Sequence, residues 1–241
     1  MNLTVRVESA IVDSVAQTTQ LPPELFCWTR FGTEAGESVD AILRRKEQER
    51  RANSGVFLWG IGNSIAPAVR ELIRQVAEPE VLFSPIRSAP RPVDVAPRKV
   101  VEWTVAETLD GERLVIPPSF RVRGGSGTDS LTARYALICA SDEPLTLGDR
   151  GSLDFGALRN MLSGNGLGAS QVTAVVRRLS NEYHPATFYP VALRARLVAP
   201  FFVRLREPVP LQSVNGIRWT RRTRQTPVAR GRMLRPLLVS S

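Results

Sequence analysis

"GVFLWGIGNSIAPAVREL", residues 55–72, changes its period within a single turn. Val56 to Trp59 is a short apolar run bounded by glycines, with the length and composition of a buried strand. Gly60-Ile61-Gly62 then strips side chains from the chain where it leaves the strand, and Asn63 offers one amide. Ser64 stands where a helix cap belongs, and Pro67 falls in the first turn, where an amide proton is not missed. Val69, Leu72, Ile73 and Val76 then recur at helical spacing. The stretch predicts strand, turn, helix. Two readings of its turn stay open. A bulky indole beside bare backbone and one amide supplies a wall, a floor and a hydrogen-bonding group for a flat ring. A buried strand followed by a tight turn has the same letters.

Outward from this unit, "LFCWTRFG" (25–32) reads as a strand, and Ser38 opens the helix "SVDAILRRKEQERRANSG". Val39, Ile42 and Leu43 lie at helical spacing. The helix then turns wholly charged, with Arg45–Glu49 and Glu47–Arg51 at four-residue spacing, so its polar half is expected to be a solvated face. From Val81 the texture becomes strands: "VLFSPIR", "KVVEWTVAETL", "RLVIPPSFRV" and "RYALICA", with a hairpin turn at "LDGER" (109–113). "APRPVDVAPR" reads as a proline-rich loop. "GGSGTDS" (124–130) reads as a flexible one, without the lysine and following helix of a phosphate loop. Two short helices are predicted in "DFGALRNMLSG" and "SQVTAVVRRLSNE", and one or two strands in "VALRARLVAPFFVRLREPVPL". This order predicts an α+β domain around a curved, mostly antiparallel sheet. Residues 1–23 read as an N-terminal extension, 24–211 as the domain, and 212–241 as a basic arm.

The 241 residues carry a net charge of +9, with Lys46 and Lys99 as the only lysines. A GC-rich genome accounts for arginine over lysine but not for the positive sum. Such a surplus attracts polyanions, of which nucleic acid is the usual one. The last acid is Glu207. Beyond it stand Arg218, Arg221, Arg222, Arg224, Arg230, Arg232 and Arg235 around Trp219, a set suited to phosphate backbone. No apolar run approaches the ~20 residues of a membrane span, and no basic start precedes an apolar block, so a cytoplasmic protein without a membrane partner is expected.

Catalytic signals are sparse. Cys27 and Cys139 sit in apolar runs, as buried thiols do, and a zinc site needs clustered Cys and His. The single histidine, His184, has no nucleophile motif to serve. The nearest carboxylate pairs, Glu37 with Asp40 and Asp149 with Asp154, stand at predicted helix starts and read as macrodipole partners. No cofactor, metal or catalytic residue is assigned. What remains is a set of aromatic and small polar residues near strand ends: Trp28, Trp59, Asn63, Phe83-Ser84, Trp103 and Ser170-Gln171. Taken singly, each tryptophan is a core residue first.

In order, these features resemble a family. An aromatic strand with Trp28 precedes the Gly60–Asn63 turn and its helix. "EVLFSPIRS" resembles a strand in which a small hydroxyl follows an apolar run, and "KVVEWTVAET" the strand after it. "LDFGALRNMLSGNGLGASQVTAVVRRL" resembles a helix, a loop and a Ser-Gln turn leading into a last helix. The pattern resembles the EVE domain of the PUA-like superfamily over about residues 25–206. The resemblance implies a curved, mostly antiparallel pseudo-barrel with helices at its mouth. It also implies a nucleic-acid-binding protein that reads modified bases, holding a flipped base in an aromatic pocket, with a place in DNA modification or defence. By the resemblance Trp28, Asn63, Ser84, Ser170 and Gln171 would line that pocket, the indole of Trp59 beside bare backbone joins them as a candidate wall, and DNA comes before RNA as the partner. The first helix is longer and more charged than the family pattern, and Phe83-Ser84-Pro85 lacks its histidine. Two alternatives stand beside this reading: an enzyme of nucleotide or nucleic-acid modification using the same pocket, and a structural protein whose arm binds RNA or an acidic partner.

Overall fold

A computed structural model describes residues 23–32, 38–86, 99–120, 123–126, 134–168, 171–179, 188–211 and 232–233. The first half alternates as the sequence predicts: β1 (Leu25–Phe31), α1 (Val39–Ala52), β2 (Val56–Ile61), α2 (Ala66–Gln75) and β3 (Glu80–Pro85). Ser38 caps α1 by accepting from the Ala41 N–H. In α2 the cap position falls to Ile65, without a side-chain hydrogen bond, and Ser64 does not serve. Strands follow: β4 (Lys99–Thr108), β5 (Arg113–Val115), β6 (Arg123–Ser126), β7 (Arg134–Ala140), β8 (Ser152–Asp154), β9 (Leu158–Asn160), β10 (Thr173–Arg178), β11 (Phe188–Pro190), β12 (Leu193–Leu211) and β13 (Arg232–Met233). Gly111, at φ +85°, makes the β4–β5 turn.

Eleven strands form one mostly antiparallel sheet, and the 19-residue β12 is its hub. Its start pairs with β3, its middle with β7 and its end with β4. The register against β7 shifts between Leu197 and Phe202, where Phe201 takes φ +63°. β3 continues through β1 and β10 to β9, whereas β7 continues to β2. Among the described residues the sheet does not close into a barrel. Three apolar clusters fill its folds. The first takes α1, α2 and the inward residues of β1, β2, β3, β7 and β12. The second lies between β2–β7 and β4–β5. The third lies behind β1, β3 and β10, under the two-stranded β8–β11 ribbon.

The late helices are corrected. Residues 154–160 form the end of β8, one turn of 3-10 helix and β9, a turn follows at 161–163, and "TAVVRR" is the strand β10, paired to β1 on one side and β9 on the other. Val175 packs in the first cluster and Ala174 and Val176 in the third, while Thr173 is buried against Thr29, so the run from Thr173 to Val176 is buried on both faces rather than alternating. Such a run cannot be told from a buried helix by period, and its β-branched content is the discriminating signal. The helical end that carried part of the EVE resemblance is therefore a strand here.

Candidate functional site

Two tryptophans expected to share one pocket sit on opposite faces of the sheet. In β1, Cys27 and Phe31 face the first cluster, and Phe26 and Trp28 face the third. Trp28 stands in a cross-strand row with Leu82 and Ala174, and Arg30 in the next row with Ser84. The Trp28 indole N–H donates to Ser84 Oγ at 3.0 Å, with both residues fully buried. Phe155 and Tyr189 cover the indole at centroid distances of 5.4 and 6.1 Å, and they meet each other at 4.9 Å. The Arg30 guanidinium lies over the Tyr189 ring, 5.2 Å from its centroid. The Arg30 N–H donates to the Val172 carbonyl at 2.7 Å, which brings the start of β10 to the same edge.

Trp59 faces the first cluster. Its ring meets Phe83 at 4.7 Å and Phe31 at 5.5 Å, both nearly perpendicular. The expected single cavity is thus corrected: Trp28 and Ser84 meet, and Trp59 does not join them. Asn63 is exposed in the bend after β2. Gly62 beside it leaves room for the protein's own Arg134, whose Nη1 would lie 3.3 Å from an added Cβ. Gln171 turns its amide back to donate to the Thr173 carbonyl at 3.0 Å. Ser170 lies outside the described residues. So do Arg218, Arg221, Arg222, Arg224, Arg230 and Arg235, together with His184. Arg232 is described in its backbone, where β13 runs parallel to β5 through Leu114 and Val115.

The charged half of α1 is also corrected. Ile42, Lys46, Glu49 and Asn53 continue one buried stripe at spacings of four, three and four. Lys46 Nζ and Glu49 Oε2 are 2.6 Å apart, and Glu49 Oε1 accepts from the Leu58 N–H at 2.7 Å. Burial pushes the Lys46 ammonium below its ordinary value and the Glu49 carboxyl above its own. The stripe is legible as spacing, but the residue types conceal it. On the outer side, Glu47 holds Arg50, Arg51 and the Leu145 N–H, and the Arg50 bond leads in lowering its carboxyl to about 2. Beside it an open groove of about 480 Å³ runs between α1 and Leu145–Leu147, floored by Leu43 and Leu145 and rimmed by Asp40, Arg44, Gln48 and Arg51.

Among the described residues many arginines face acids. Arg74, Arg177, Arg196 and Arg206 pair with Glu71, Glu24, Asp142 and Glu107. Of the 32 basic and 23 acidic residues, 24 and 21 fall within 24–211, a surplus of three, whereas 212–241 holds seven arginines and no acid. Among the described residues, no group of three His, Cys, Asp or Glu is placed to hold a metal ion, and no helix is long and apolar enough to cross a membrane. No family model, curated protein or solved structure matches the chain.

Proposed function

We infer that the chain binds nucleic acid, with the arginines of 212–241 on the phosphate backbone and the sheet as the platform that presents the ligand. The observation that carries this reading is the division of charge: residues 24–211 are nearly balanced, and the surplus is concentrated in 212–241, which holds no acid. Arginine held near phosphates releases condensed counterions, so affinity falls steeply with salt. The β13–β5 pairing supports the platform role, since it ties the basic segment back to the sheet beyond its departure from β12. The test is removal of residues 212–241. Binding to duplex DNA should weaken, and the slope of log K against log salt should flatten by about 0.9 for each phosphate that is no longer neutralised. An unchanged slope sinks the reading.

A second, finer reading is that of a PUA-like domain selecting modified bases. Its support is the meeting of Trp28 with Ser84, two residues that the EVE resemblance assigns to one pocket. Both are closed to solvent, so a base would reach them only with Phe155 and Tyr189 displaced. Oligonucleotides matched except for a modified base test it. Equal affinity across the modifications tried leaves backbone binding alone.

A further inference from the structure

We propose that Arg204 on β12 is a phosphate contact supplied by the sheet itself, beside the arginines of 212–241. The proposal rests on the nucleic-acid reading above and adds a contact within the sheet. β12 carries four arginines, and the register shift between Leu197 and Phe202 divides them between the two faces. Leu193, Ala195 and Leu197 enter the first cluster, so Arg194 and Arg196 face the other way. Beyond the shift Phe202 enters the first cluster while Val203 and Leu205 enter the second, so Arg204 and Arg206 stand on the first cluster's face. Glu107 is directly opposite Arg204 in the ladder, yet its Oε2 accepts from Arg206 Nε at 2.9 Å. Arg113, opposite Glu107 on β5, pairs with Glu207. On its other side Arg204 is opposite Tyr135 of β7, whose ring is stacked on Phe202. Among the described residues the Arg204 Nε is buried with no hydrogen-bond partner, and no carboxylate pairs with the guanidinium. The residue is half-buried, so part of it stays open to a ligand.

A cation that has lost water at one nitrogen without gaining an acceptor is a cost to the fold, and such a group calls for an explanation. The neighbouring arginines show what satisfies a guanidinium on this face: Arg206 and Arg113 each have a carboxylate. Two arginines flank Glu107 on β12 and only Arg206 is bonded to it, which leaves Arg204 as surplus charge. A phosphate on the open part of Arg204 would use its remaining N–H groups as a fork. The position favours the phosphate of a nucleic acid already held by the basic segment. The sheet runs β12, β4, β5, β13, and Arg232 lies in the ladder row of Leu114, Ala106 and Leu205, next to the row of Arg204. Three strand spacings, about 14 Å, separate Arg204 from the point where the basic segment returns. One duplex can meet both.

The experiment is fluorescence anisotropy of the full chain with a labelled DNA duplex across a salt series, together with thermal melting. Arg204→Met keeps the apolar stem and removes the charge. It should weaken binding roughly five- to tenfold at about 0.1 M salt and flatten the slope of log K against log salt by about 0.9, the effect of one phosphate no longer neutralised. Arg204→Lys keeps a charge and should keep the slope. Arg196→Met removes the same charge from the opposite face, where Asp142 already holds it, and should leave the slope unchanged. Arg204→Met should melt at or above the wild-type temperature, because no bond of the folded protein is lost. Melting several degrees lower, or failure to fold, would overturn the proposal, since the guanidinium would then be holding the fold. An unchanged slope in Arg204→Met, or an equal loss from Arg196→Met, would overturn the Arg204 contact while leaving the role of 212–241 intact. Stronger displacement of the duplex by poly-glutamate than by unlabelled duplex would also overturn it. Absence of duplex binding by the wild-type chain would overturn the nucleic-acid reading itself.

Discussion

Trp28 and Trp59 lie on opposite faces of one sheet and use the same side chain differently. Trp59 is locked among Phe31 and Phe83 with both helices behind it, and its neighbours are nearly all apolar. Trp28 is buried more completely, yet its surroundings are polar on one side and reach the surface on another, through Ser84, Tyr189 and Arg30. Depth alone does not separate the two environments. What separates them is whether the cluster around the indole ends in solvent. In "WGIGN", Trp59 belongs to the core, and the glycine at 62 makes room for Arg134.

Mutations can break this contrast. Trp59→Ala should cost about 3–5 kcal/mol in chemical denaturation, the usual loss for a large buried aromatic, with no specific effect on ligand. A variant that stays as stable as wild type and loses oligonucleotide binding would return Trp59 to a site. Ser84→Ala leaves a buried indole N–H without its acceptor and should cost about 1–3 kcal/mol. Trp28→Phe in the Ser84→Ala background should then add less than it does alone, because the hydrogen bond is already lost and the change removes a donor left without an acceptor. Simple additivity in that cycle would mean that the 3.0 Å bond contributes nothing to the cluster. Asn63→Ala should change stability by less than about 0.5 kcal/mol, as expected of an exposed side chain. Because Asn63 stands apart from Trp28, the same variant should leave any base preference untouched, and a lost preference would reinstate the pocket that the sequence suggests.

The order of elements through β4 is legible in the sequence because its signals are local. Val39, Ile42 and Leu43 mark α1, Pro67 marks the first turn of α2, and Asp110-Gly111 marks a hairpin. The faces are not legible. Alternation says that Cys27 and Trp28 point opposite ways, but which cluster each enters depends on pairing with Leu82 and Ala174, distant in the chain. β10 passes for a helix because a strand buried on both sides loses its alternation. Lys46 and Glu49 pass for a solvated face because each is individually a surface residue type, and only their mutual neutralisation lets them be buried.

That ion pair has one more consequence. Among the described residues β2 pairs only with β7, so the Leu58 N–H points out from a margin where the ladder of strands stops. Unsatisfied donors along such a margin invite another chain to add itself as the next strand. The Val56 N–H is answered by the Asn53 carbonyl and the Leu58 N–H by the Glu49 carboxylate. Helix α1 thus supplies the acceptors that a neighbouring strand would have brought. Lys46 holds the borrowed carboxyl group in place at 2.6 Å, so the buried half of a highly charged helix occupies donors that an added strand would otherwise meet.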